Sequence, residues 1–138
     1  MTAEEMKART KLFAVRVVKL VDALPRGLAP QVIGRQLLRS ATSVGADYRA
    51  ACRSQSRAEF AAKLSIVVEE SDESLYWLEL VLETGLVKPE LLSGLIKEAN
   101  ELVANVLASR KTAKKPAGLT NRKSQIENRQ LQGVCYEP

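Results

Sequence analysis

Residues 57–85 read RAEFAAKLSIVVEESDESLYWLELVLETG, and no other segment constrains the architecture as tightly. Phe60, Leu64, Val67, Val68, Ser71, Leu75, Leu78 and Leu82 recur at intervals of three or four, the spacing that lines one side of an α-helix. Ser56 and Glu59 form a capping box at its start, in which hydroxyl and carboxylate each accept from an amide that the helix leaves unpaired. Gly85 supplies the left-handed residue on which helices commonly end.

The same period extends outward in both directions. Upstream, Ile33, Leu37, Ala41, Val44, Tyr48 and Ala51 mark a helix that the sequence starts near Pro30, because a proline in the first turn has no amide hydrogen to leave unpaired. Gly34 and Gly45 interrupt it at about 1 kcal/mol each relative to alanine, which suits either a close approach to another helix or local flexibility. Before that, Met6, Phe13, Val17, Leu20, Val21 and Leu24 share one face. Thr2 and Glu5 form a capping box there, and Pro25 and Gly27 end the run. Downstream of Gly85, Pro89 restarts the chain, and Leu92, Leu95, Ile96, Ala99, Leu102, Val103 and Val106 make a fourth stripe. Alternating periodicity is absent, so no strand is expected.

Four long helices with short connections predict an all-α, antiparallel, up-down-up-down four-helix bundle over residues 1–111. Residues 112–138 lack a stripe and contain Pro116, Gly118 and Gly133; they read as a basic, mobile tail with a short helix near Ser124–Gln132. The turn at Ser54–Ser56 sets the register of the central hairpin: facing residues have numbers that sum to about 109 or 110. Ala41 then faces Val68, Leu37 lies near Asp72, Tyr48 meets Phe60 or Ala61, and Arg39 lies beside Glu70 and Glu73.

Composition removes whole classes of chemistry. The chain has 138 residues and no histidine, which excludes His-based catalysis and every His metal site. No P-loop or dinucleotide fingerprint is present. No apolar run is long enough to span a membrane, and the acidic N-terminus carries no secretion signal, so a cytoplasmic protein is expected. Cys52 and Cys135 lack partners at metal-ligand spacing and read as reduced thiols. Ser40, Ser43 and Ser71 have no base and read as small packing residues of a helix seam.

Charge is unevenly placed. Residues 1–108 carry 14 basic and 14 acidic groups, whereas residues 109–138 carry seven basic and two acidic, the whole of the net +5. Within the body, residues 26–63 hold seven Arg or Lys against Asp47 and Glu59, and residues 69–101 hold nine carboxylates against Lys88 and Lys97. A basic segment followed by an acidic one predicts two surfaces that attract, within the chain or between copies of it.

Several runs resemble a known family. They are Leu38-Arg39-Ser40-Ala41-Thr42-Ser43-Val44, Tyr48 to Arg53, Ser56 to Phe60, Glu69 to Glu79, and the Leu24-Pro25 turn. Over about residues 8–108 the chain resembles the four-helix bundle proteins encoded in intervening sequences of bacterial 23S rRNA. The resemblance implies a cytoplasmic bundle that assembles as a homopentamer. It also implies kinship with accessory proteins of diversity-generating retroelements, which bind nucleic acid and a reverse transcriptase. Many members carry Asn and then Ala-Glu-Gly after the Arg-Ser-Ala run. Here Asp47 and Arg49-Ala50-Ala51 stand instead, so a role resting on that Asn or Glu is not carried over.

The arginines are the most informative polar residues. Arg35 and Arg39 lie one turn apart, and Arg49, Arg53 and Arg57 continue at i+4 spacing. Such a strip can grip phosphates or pair with the acidic third helix; the register assigns Arg39 to an ion pair with Glu70 and Glu73. Arg35, Arg49, Arg53 and Arg57, with Lys111, Lys114, Lys115, Arg122 and Lys123 of the tail, are candidates for nucleic-acid binding. Tyr76 and Trp77 are adjacent and point to different faces, and Trp77 is the candidate subunit contact. Glu69, Glu70, Asp72, Glu73, Glu79 and Glu83 invite a di-metal reading, but such bundles need histidines as well, so a salt-bridged or solvated face is expected, with no metal and no cofactor. The sequence thus predicts a non-enzymatic homo-oligomer that binds RNA or DNA. The alternative is a protein–protein scaffold without nucleic-acid contact.

Overall fold

The computed structural model describes residues 1–115. Four helices carry them: α1 (Ala3–Asp22), α2 (Leu28–Cys52), α3 (Arg57–Glu83) and α4 (Ser93–Ala113), with one 3-10 turn, Pro89–Leu91, leading into α4. Among the described residues there is no strand. Each helix packs on the next in sequence, and α4 returns to α1. Cross-helix pairs such as Arg9–Glu98, Thr10–Gly45, Ser40–Ser74 and Ser65–Arg110 make every neighbouring pair antiparallel. The fold is the four-helix bundle that the stripes predict. α4 runs to Ala113, two residues past the expected end of the bundle at residue 111.

The core follows a seven-residue repeat. α1 buries Ala3, Met6, Thr10, Phe13, Val17 and Leu20; α3 buries Phe60, Leu64, Val67, Ser71, Ser74, Leu78 and Val81. α4 continues the pattern from Leu92 through Leu95, Ala99, Leu102 and Val106. Alternating steps of three and four average 3.5 residues per turn, the period that lets helices wind around one another with a shared seam. That repeat corrects two positions of the third stripe. Val81, fully buried, takes the place expected for Leu82, which is 36% exposed. Ser74 is fully buried, whereas Leu75 only packs against the edge of the core.

α2 buries a wider arc, with adjacent pairs Ile33–Gly34, Ser40–Ala41, Val44–Gly45 and Ala51–Cys52 all buried. Gly45 lies against Thr10 of α1, and Gly34 against Val21 and Leu24. Towards α3, Ser40 and Ser74 bring their hydroxyls to 3.0 Å in the buried seam, backed by the carbonyls of Leu37 and Glu70. Ser71 likewise donates to its own helix, at Val67 O. These hydroxyls are satisfied locally and act as small packing residues.

The helix ends differ in detail from the sequence reading. Thr2 and Glu5 complete a reciprocal capping box. At α3, Ser56 Oγ accepts from Glu59 N at 3.1 Å, but the Glu59 carboxylate reaches past Ser56 to the amide of Gln55 at 3.0 Å. α2 begins at Leu28 rather than Pro30, after Gly27 at φ 147. Pro30 therefore sits third in the helix, where its missing hydrogen is still outside the intrahelical ladder. Gly85 (φ 67) closes α3: its own amide bonds Leu82 O at 3.1 Å, and that of Leu86 bonds Val81 O at 3.3 Å. These two bonds are the Schellman pattern.

Candidate nucleic-acid interface

Antiparallel packing gathers one end of the bundle from four chain segments: the start of α1, the end of α2, the start of α3 and the end of α4. In such a bundle the partial charges of opposed helix ends, about half a unit each, cancel within each end. Side chains therefore set the local field.

At this end they are mostly cationic. A groove of about 360 Å³ between α1 and α2 is lined by Glu4, Lys7, Ala8, Lys11, Arg49 and Arg53. Arg49 and Arg53 are one turn apart and exposed, as are Lys111, Lys114 and Lys115 at the end of α4. None of these five, nor Lys11, makes an ion pair among the described residues. The carboxylates in the first turns of α1 and α3 are already engaged. Glu4 pairs with Lys7 at 3.0 Å. Glu5 caps α1 through Thr2 N at 2.8 Å. Glu59 caps α3 and pairs with Lys63 at 3.1 Å, and the Gln55 amide first, then Lys63, holds its pKa below the usual carboxylate value.

The candidates divide on inspection. Arg57 is half-buried and turned inward: Nη2 donates to Thr112 O at 2.8 Å, a carbonyl of the last turn of α4 that also accepts from Lys115 N at 3.2 Å, and Nε is buried without a partner. Its guanidinium ties the start of α3 to the end of α4. Arg35 is exposed but sits 14 residues before Arg49 on α2, about 20 Å away along the helix. The structure therefore does not bring Arg35 to the basic end. Arg122 and Lys123 lie outside the described residues, as does the short helix read near Ser124–Gln132.

Arg39 bridges two helices. Nη2 contacts Glu73, and Nη1 lies 3.4 Å from Glu70. The contact with Glu73 is the stronger: its hydrogen bond leads the causes that raise the Arg39 pKa, and the Arg39 hydrogen bond leads those that hold the Glu73 carboxyl below its ordinary value. The residue numbers of Arg39 and Glu70 sum to 109, as the register predicts, but those of Ser40 and Ser74 sum to 114. Helical side chains lean toward their own N-termini. On α2 that carries a side chain away from the turn, and on α3 toward it, so contacting pairs sum a little higher than facing backbones.

Trp77 is half-buried beside this bridge, its Nε1 donating to Glu73 Oε1 at 3.4 Å and its ring edge-on to Tyr76 at 5.0 Å. Tyr76 is 57% exposed. One interaction escaped the sequence reading. Arg9 spans from α1 to α4, with Nε 2.8 Å from Glu98 Oε1 and Nη2 2.7 Å from Glu101 Oε2, and both carboxylates raise its pKa, Glu98 most. No tight turn joins α1 to α4, so the sequence offers no register for that pair.

Among the described residues, no group of three or more His, Cys, Asp or Glu could hold a metal ion, and no helix is long and apolar enough to cross a membrane. The arrangement can neutralise phosphates; it presents no nucleophile with an adjacent base.

Comparison with known proteins agrees with the bundle fold. A crystal structure from Bacteroides thetaiotaomicron VPI-5482, of a protein with unknown function from the S23 ribosomal protein family, superposes with a TM-score of 0.74 at 35% identity, covering 80% of this chain and 99% of that one. No curated protein matches. The sequence profile of the 23S rRNA-intervening sequence proteins matches residues 4–108, which is all four helices but for the ends of the first and last. The chain belongs to the 23S rRNA-intervening sequence protein family.

Proposed function

We propose that the protein is a non-enzymatic, self-associating bundle that binds nucleic acid through phosphates at its basic end. The observation that carries this reading is the gathering of Lys11, Arg49, Arg53, Lys111, Lys114 and Lys115 at one end, unpaired, while the nearby capping carboxylates are spent on helix starts and neighbouring lysines. Arg offers a planar fork to phosphate oxygens and Lys a point charge. Neither reads bases in this setting, so binding is sequence-tolerant. The family resemblance supports a homopentamer, in which five such ends would act together and raise a weak contact to useful avidity.

The test is binding of a labelled single-stranded RNA at a series of potassium chloride concentrations. Three contacts from one protomer, through Lys11, Arg49 and Arg53, give a log–log slope of about −2 as the shallowest case, and each further protomer engaged on the same strand steepens it. Affinity then falls about twentyfold between 50 and 200 mM salt. Affinity that is flat across this range, or absent at its low end, overturns the reading. Capture of a partner protein that survives nuclease, with no RNA binding, would put a scaffold in its place.

A further inference from the structure

Arg35 has no part in the basic end, and the apolar residues around it are uncovered. Leu28 is 79% exposed and Val32 50%, both on the side of α2 turned from the core. On the outer face of α3, Asp72, Tyr76, Glu79 and Glu83 are exposed, and the three carboxylates make no ion pair among the described residues. One helix thus presents two bare aliphatic side chains followed, one turn on, by a cation. The adjacent helix presents carboxylates around a bare aromatic ring.

We propose that these faces are two halves of one contact: the N-terminal half of α2 in one copy docks on the C-terminal half of α3 in another. The occupant is a second copy because the chain carries both complementary surfaces. Each face carries charge of one sign, so α2 against α2 would set Arg35 side chains against each other and α3 against α3 would set carboxylates against carboxylates. A rotation about an axis parallel to the bundle leaves every residue at its own height. Within the chain, cross-helix partners of α2 and α3 have numbers that sum to between 109 and 114. Arg35 of one copy then stands level with residues 74–79 of the next, where Tyr76 and Glu79 face outward. Val32 stands level with residues 77–82, which again include Glu79, and Leu28 with residues 81–86, where Leu82 is 36% exposed. Arg49 and Arg53, by the same rule, stand level with residues 56–65, whose outward positions Ala58 and Ala62 carry no charge, so the basic end stays open.

The contact deepens the self-association part of the proposed function and is independent of its nucleic-acid part. The experiment is mass in solution by light scattering across a dilution series, for the full chain and for Arg35→Glu, Glu79→Arg and the double exchange. Circular dichroism confirms that each variant is folded, since all the substituted side chains are exposed. Each single exchange is expected to weaken assembly at least tenfold, and the double exchange to return it to within about threefold of the parent. A parent chain of 15.2 kDa mass at every concentration overturns self-association altogether. An assembled parent indifferent to the single exchanges, or a double exchange no better than either, overturns this contact alone. RNA affinity lost in the parent while the mass pattern holds removes the nucleic-acid reading and leaves the contact standing.

Discussion

Replacing Gly34 and Gly45 by alanine should have opposite effects, although propensity alone treats them alike. In a helix interior, alanine is favoured over glycine by about 1 kcal/mol at either position. At Gly45 the added methyl would lie 3.3 Å from Thr10 Oγ1 and 3.5 Å from the Thr10 carbonyl carbon. Neither atom can retreat. The hydroxyl is held by Met6 O at 2.9 Å and Lys7 O at 3.1 Å, and the carbon belongs to the backbone of α1. The helices must separate, and overpacking of this kind costs about 1–3 kcal/mol, which leaves Gly45→Ala less stable by about 1 kcal/mol. At Gly34 the methyl would meet Leu24 Cδ1 at 3.2 Å and Val21 Cγ1 at 3.3 Å. These are side-chain ends bordering an open groove of about 410 Å³, into which Leu24 can turn. Gly34→Ala should therefore keep most of its propensity gain. Thermal unfolding followed by far-ultraviolet circular dichroism measures both. It requires one fixed protein concentration, because self-association shifts the midpoint. Gly45→Ala is expected to melt about 3–5 °C lower and Gly34→Ala up to about 3 °C higher. Equal increases would refute the close approach of α1 and α2 at Thr10.

Three further outcomes follow from the polar contacts. Arg9→Ala removes the bridge from α1 to α4 and leaves Glu98 and Glu101 facing each other one turn apart; it should cost about 0.5–1 kcal/mol in urea unfolding, and an unchanged midpoint would count against the bridge. Arg57→Met removes the side-chain donor to Thr112 O, leaving it only the Lys115 amide, while removing a buried, unpartnered Nε; the last turn of α4 should lose about 1 kcal/mol locally, read as roughly fivefold faster amide exchange near Ala113–Lys115, and unaltered exchange would deny the tie. The folded pKa of Glu73 is lowered, chiefly by Arg39, so its contribution to stability is present above the unfolded carboxylate value and is lost as pH falls through the folded one. Tm should therefore drop below about pH 4, and Glu73→Gln should flatten part of that drop; an identical acid limb in the variant would exclude the pair.

The bundle was readable because its signals are local. Caps, breakers and apolar periodicity lie within single segments, and the turn at Ser54–Ser56 fixes one register, enough to place Arg39 by Glu70 and Glu73. What the sequence hid depends on how helices share space. Val81 and Ser74 lie in the seam because a seven-residue repeat outweighs the larger apolar area of Leu82 and Leu75. Arg9 and its two glutamates are 89 and 92 residues apart, with no turn to align them. Arg57 looks like the last member of an exposed strip, but the chain bends at Ser54–Ser56, and that rotation carries its side chain under α4. Equal spacing across a turn does not mean a shared face.

The remaining question is how a body with balanced charge could favour a polyanion. α3, 27 residues long, spans about 40 Å, whereas charges in 0.1 M salt are screened beyond about 10 Å. Glu79 and Glu83, near its C-terminus, are therefore several screening lengths from Arg49, Arg53 and the end of α4, and they cannot cancel the field there. A phosphate backbone would meet the basic end as if the acidic half were absent, and would be repelled if it approached that half directly. On the proposed reading, the segregation of charge sets orientation: nucleic acid lies across one end, and the acidic half is left to a neighbouring copy. Exchanging Arg49 and Arg53 for Glu would then abolish RNA binding without altering mass in solution, whereas the Arg35→Glu exchange would disperse the assembly and leave each basic end intact.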